Sequence, residues 1–119
     1  MPTTPIRITV GHRTLTGELD DSLATRELVK RIPICMLMLN RYGREMTFRM
    51  GAGALPTDRL RTDGFAVGDL VYWPPLGSFV ILYRQDGERF ERQHLGHVDG
   101  DLSVFDGGGD MAVVLGLAR

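Results

Sequence analysis

The chain has 119 residues, the length of one domain built around one hydrophobic core, with no room for separate catalytic and regulatory domains. Fourteen basic residues against fifteen acidic ones leave a net charge of -1, which excludes a nucleic-acid-binding surface that works through bulk positive charge. A single cysteine, Cys35, excludes an internal disulfide and any multi-cysteine zinc site.

The N-terminal residues Met1 to Arg7 contain no apolar run able to form the core of a signal peptide. Ile6, Ile8 and Val10 alternate with Arg7 and Thr9; after Gly11-His12 the alternation resumes through Leu15, Gly17 and Leu19. This pattern predicts a β-hairpin. Asp20, Asp21 or Ser22 offers a cap for a helix over Leu23 to Arg31, with Leu23, Leu28 and Ile32 as its buried stripe and Pro33 as its stop. Ile34 to Leu39 is apolar at every position, as expected of a strand buried on both faces, where Cys35 would be inert packing. The longest apolar stretch, Ile32 to Leu39, is too short to span a bilayer. A soluble cytoplasmic protein with no membrane partner is therefore expected.

Asn40-Arg41-Tyr42-Gly43 makes a turn into the alternating run from Glu45 to Met50. Regular alternation then stops until Val67, a long excursion suited to a binding rim. Leu70 to Trp73, Pro74-Pro75-Leu76-Gly77 and Phe79 to Tyr83 form the strongest hairpin signal. Arg84 to Arg92 reads as a polar loop, Gln93 to Val98 as a strand, Asp101 to Phe105 as one helical turn, and Met111 to Leu117 as a closing strand. The 15 glycines punctuate these short runs and predict many tight turns. Eight short strands and one early helix are best closed into a barrel, which removes exposed sheet edges.

In this order the elements resemble a shortened cyclophilin barrel, and specifically the small prokaryotic cyclophilin-like family. The resemblance rests on Leu23-Ala24-Thr25-Arg26-Glu27-Leu28 running into Ile32-Pro33, on Gly43-Arg44-Glu45, Leu55-Pro56 and Gly68-Asp69-Leu70-Val71-Tyr72, and on Leu95-Gly96-His97-Val98-Asp99-Gly100. It implies a mainly β fold, a closed or nearly closed eight-stranded barrel with one principal helix, over residues 1–119. Cyclophilins isomerise X-Pro bonds in a groove where an arginine weakens the prolyl amide resonance behind a barrier of about 18–20 kcal/mol. By resemblance, Arg61 is the counterpart of that arginine and Phe65 of the groove aromatic. The enzymes' Gln-Gly-Gly-Asp pattern is reduced to Val67-Gly68-Asp69, Arg92 stands where their groove histidine would, and His94 is displaced.

Other chemistry is thinner. His94, His97 and Asp99 carry metal-ligand atoms, but residues three apart on a strand face opposite sides, so only His97 and Asp99 share a face. Asp99, Asp101, Ser103, Gly107 and Asp110 occupy calcium-loop spacings, yet Val104 stands where the sharp turn needs glycine. Gly107-Gly108-Gly109 leads into a strand, not a phosphate-binding helix. Met36, Met38, Met46 and Met50 read as core filling, and Trp73 as either a hairpin cap or a ligand-stacking ring. No cofactor or metal site is expected.

The mixed polar and aromatic group suited to a ligand site is Glu45, Arg61, Phe65, Tyr83 and His94. The expected function is a noncatalytic module binding a small molecule or an extended peptide, with a peptidyl-prolyl isomerase as the alternative and a structural or oligomerisation domain as the third reading. Arg59 and Arg61 flank Leu60, a pattern that places Arg61 in a solvated loop with the leucine turned inward.

Overall fold

The computed structural model describes residues 3–118, which leaves out Met1, Pro2 and Arg119. Alternating apolar residues build nine strands and two helical segments among the described residues. The chain runs β1 (Thr4–Val10), β2 (Arg13–Leu19), α1 (Leu23–Val29), β3 (Ile34–Arg41), β4 (Glu45–Arg49), β5 (Leu60–Arg61), β6 (Asp69–Trp73), β7 (Ser78–Leu82), β8 (Arg92–Asp99), a 3-10 turn (Leu102–Phe105) and β9 (Met111–Leu117). All strand pairs are antiparallel, in the order β2-β1-β9-β3-β4-β7-β6-β8-β5, and β2 pairs back onto β8. Eight strands thus close a barrel, and the two-residue β5 is added at the edge of β8. Ile6, Ile8, Met36, Met38, Met46, Phe79, Ile81, Leu95, Val113 and Leu115 fill its interior.

Closure depends on two glycines that are not turn residues. A Cβ on Gly17 would come within 2.8 Å of the Val98 Cα and closer still to the His97 carbonyl oxygen. A Cβ on Gly96 would come within 2.8 Å of the Leu19 Cα and closer still to the Glu18 carbonyl oxygen. Both obstacles are backbone, which cannot turn aside as a side chain can. The β2–β8 seam therefore needs glycine on each strand.

Three expectations are corrected. The helix ends at Val29 rather than Arg31, and it buries Ala24, Thr25 and Leu28 while Leu23 is 48% exposed. Its register is set by a capping box in which the Ser22 hydroxyl accepts from the Thr25 N–H and the Thr25 hydroxyl from the Ser22 N–H. β3 is not buried on both faces: α1 packs chiefly against β8, and the outward side chains of β3 are exposed or half-buried. Met36 and Met38 point inward, whereas Leu37 is 63% exposed and Cys35 is exposed too, not inert packing. Finally, Arg92 opens β8 instead of ending a polar loop, and its side chain is fully buried.

Candidate functional site

Register explains the outer face of the sheet. In an antiparallel pair, directly opposed residues share a face. Arg41 opposes Glu45, which opposes Leu82; Leu39 opposes Thr47, which opposes Val80 and then Val71; Arg49 opposes Ser78, which opposes Trp73. The interleaved residues Met46 and Ile81 point into the barrel. β4 therefore presents Glu45, Thr47 and Arg49 outward at successive rows about 6.6 Å apart. Over this face lies a cavity of about 520 Å³, walled by Leu37, Leu39, Phe48, Leu76, Val80 and Phe90 and edged by Arg41, Tyr42, Arg44, Glu45, Arg49, Trp73 and Ser78.

The end of the cavity near the β3–β4 turn is held rigidly. Arg44 donates from Nε to Glu45 Oε1 at 2.8 Å and from Nη1 to Asp86 at 3.0 Å. Burial pulls the Arg44 guanidinium pKa down, but the Glu45 and Asp86 carboxylates more than offset it and hold the group above its ordinary value. The Asp86 carboxyl lies below the usual carboxylate range, first because it accepts from the Glu88 N–H and then because Arg44 faces it. The Arg44 guanidinium also lies 5.2 Å from the Tyr42 ring centroid and 5.1 Å from that of Phe90. Tyr42 has φ of 57° and Gly43 of 62°, the pattern of a tight hairpin turn that normally excludes bulky residues at both central positions. The Tyr42 ring is thus held at a strained backbone position, 78% exposed at the cavity's edge.

Behind Phe90 stands a second apolar cluster of Phe65, Val71, Val80 and Leu82, with Trp73 and Phe90 against it. Arg92 supports this wall from within. Its Nη1 donates to the carbonyls of Asp63 and, at 3.3 Å, of Phe90; its Nη2 donates to Gly64 at 3.4 Å, and its guanidinium lies 5.6 Å from the Phe90 ring. Burial lowers the Arg92 pKa, against the pull of Asp63.

The five residues singled out from sequence separate into distinct places. Glu45 edges the cavity, and Phe65 stacks behind it on Phe90 at 6.1 Å. Tyr83 belongs to the barrel interior, donating its hydroxyl to Asn40 Oδ1 at 2.8 Å and stacking on Phe105 at 5.8 Å. Arg61 lies on β5, largely open to solvent, and forks onto Asp63 at 3.0 and 2.8 Å; Leu60 beside it is exposed rather than turned inward. His94 faces Asp20 at 3.3 Å. Sequence reasoning missed Arg44, Arg49, Ser78 and Phe90, and placed Leu37 in the core; the alternation of Glu45, Thr47 and Arg49 was the available signal.

The alternative ligand sets also acquire places. His97 faces Asp99 at 3.5 Å while His94 faces Asp20, so the two histidines serve different carboxylates. Asp101 caps the 3-10 turn by accepting from the Ser103 N–H. Among the described residues, no three His, Cys, Asp or Glu side chains converge as a metal site, and no helix is long and apolar enough to cross a membrane.

The chain is similar in fold to the solution structure of the hypothetical protein AF2241 from Archaeoglobus fulgidus, with a TM-score of 0.70 at 17% identity over 98% of this chain and 95% of that one. No curated protein matches the sequence. The model of the Cyclophilin-like family matches residues 8–115, nearly the whole barrel. By that match and that architecture, the chain belongs to the cyclophilin-like family.

Proposed function

We propose that this cyclophilin-like chain is a noncatalytic binding module, acting as one domain in the cytoplasm, that takes up a small molecule in the cavity outside β3, β4 and β7. The observation that carries the reading is the cavity itself: about 520 Å³, within the range of about 300–1,000 Å³ usual for small-ligand sites. Its apolar walls would hold the body of a ligand. The Arg44–Glu45–Asp86 network, already in place, supplies directional polar groups without ordering on binding. A lone exposed thiol, Cys35, accords with a reducing compartment.

The noncatalytic form is favoured over prolyl isomerisation because Arg61, the arginine that resemblance would assign to the chemistry, is engaged with Asp63 and does not edge the cavity. Nile red, an uncharged apolar fluorophore, tests the binding. Its emission should rise with the native protein and not with Leu37→Glu, which sets a charge in an exposed part of the wall. A protease-coupled assay on X-Pro peptides should show no acceleration; turnover abolished by Arg61→Ala would replace this reading with the isomerase. Absence of Nile red binding, with light scattering showing an assembly that Leu37→Glu dissociates, would favour a structural domain instead.

A further inference from the structure

We propose that the ligand of this cavity is a free monocarboxylate with an aromatic or alkyl body, its carboxylate seated between Arg49, Ser78 and Trp73; the inference rests on the small-molecule reading above. These three residues stand in one register row across β4, β7 and β6 and all edge the cavity. Each brings a donor. The Arg49 guanidinium makes no hydrogen bond or ion pair with any described residue, and the Ser78 hydroxyl and the Trp73 indole N–H have no partner there either. Ser78 is 93% buried by its neighbours, being only 7% exposed, yet its hydroxyl is not among the side-chain atoms sealed from solvent without a partner. Its open direction is the cavity.

The opposite end of the trough has a different electrostatic character. There Arg44 is matched by Glu45 and Asp86 and Arg41, opposite Glu45 in the register, adds a guanidinium unmatched among the described residues. An incoming anion would meet two carboxylates beside the two cations, whereas the Arg49 row holds a guanidinium and no carboxylate. An anion is therefore directed to the Arg49 end. One uncompensated guanidinium in the row matches one negative charge, and its planar fork suits a carboxylate. A dianionic phosphate would be left with a charge unmatched. Between the two ends lies the row of Leu39, Thr47 and Val80, in which the Thr47 hydroxyl donates to the Leu39 carbonyl, with Leu37 beside it, so the body of the ligand is mostly apolar. The span from Arg49 to Glu45 is four residues, about 13 Å along an antiparallel strand, which accommodates a carboxylate, a short linker and one ring.

Isothermal titration with 3-phenylpropionate and with its uncharged amide reads the charge preference directly. The native protein and Arg59→Gln, which removes an exposed charge outside the cavity, should bind the acid about tenfold more tightly than the amide. In Arg49→Gln the two should fall within about twofold, with amide affinity retained, since that exchange removes only the charge-assisted bond. Equal binding of acid and amide by the native protein would overturn the carboxylate while leaving the small-molecule site standing. Nile red binding displaced by neither compound would do the same. Failure of Nile red and both compounds to bind would remove the small-molecule reading itself. An N-acetylated tripeptide ending in phenylalanine with a free C-terminus is the second arm: tighter binding than the free acid would overturn the free-molecule source in favour of a protein chain end.

Discussion

Arg44 and Phe90 meet with the guanidinium carbon 5.1 Å from the ring centroid, and this contact joins the β3–β4 turn to the loop that walls the cavity. The same ring is also approached by the buried Arg92, at 5.6 Å. Phe90 thus contacts two cations fixed by different parts of the chain. Arg44 is fixed by Glu45 and Asp86, and Arg92 by three backbone carbonyls.

Removing Arg44 should cost more than a surface ion pair would. Glu45 is 7% exposed, so Arg44→Met leaves a nearly buried carboxylate uncompensated, which should destabilise the fold by about 2–3 kcal/mol. Adding Glu45→Gln to it should recover at least half of the loss, because the stranded charge is gone. Guanidinium denaturation of the two variants checks this.

The buried Arg92 depends on its fork as well as its charge. Lysine keeps the charge but cannot address three carbonyls with planar donors, so Arg92→Lys should lose about 2–3 kcal/mol. Hydrogen exchange should quicken around Gly64 and Arg89, whose backbones form an isolated bridge beside it.

At the barrel seam, Gly17→Ala and Gly96→Ala should each cost about 2–4 kcal/mol, since the added methyl meets backbone that cannot be repacked. Gly116→Ala, also in a strand but with nothing within 4 Å of its Cβ position, should change stability by less than about 0.5 kcal/mol. Equal thermal shifts for all three would contradict this account of closure.

Asp63 provides a pH signature. Chiefly through its hydrogen bonds from Arg61, and in smaller part through the nearby charge of Arg92, its carboxyl is pulled from 3.8 down to about 2. A carboxylate whose folded pKa is depressed stabilises above its unfolded pKa, and the contribution fades as pH falls from about 4 toward the folded value. Carbon-detected NMR titration should show Asp63 protonating near 2, and Arg61→Gln should return it toward the ordinary carboxylate range.

Much of the barrel was legible because alternation is a direct record of which strand face is buried. The hairpins around Gly11 and around Pro74 to Gly77 appear where turn residues interrupt that alternation, and Asp101 to Phe105 forms the expected helical turn. The outer face was harder to read. Leu37 and Cys35 look like core residues because their strand is apolar throughout; the pleat that sends Met36 and Met38 inward turns them outward, where they stay exposed. Arg92 looks like a loop residue because its burial is made possible by carbonyls almost thirty positions earlier in the chain. Gly17 and Gly96 read as ordinary strand positions because the close backbone approach that requires glycine there joins β2 to β8, far apart in sequence. The cavity combines all three difficulties: its floor is a register relationship, its wall is a loop, and its polar end is a pair adjacent in sequence, Arg44 and Glu45.

The central claim, that a small ligand occupies the outer face of β3, β4 and β7, is tested most directly by titrating 15N-labelled protein with a panel of small neutral and charged aromatic fragments. Backbone shifts should concentrate at Leu37, Leu39, Thr47, Arg49, Ser78 and Phe90, along the cavity. Shifts gathered instead around Arg61, His94 and Asp20, or no residue-specific shifts with any fragment, would contradict it.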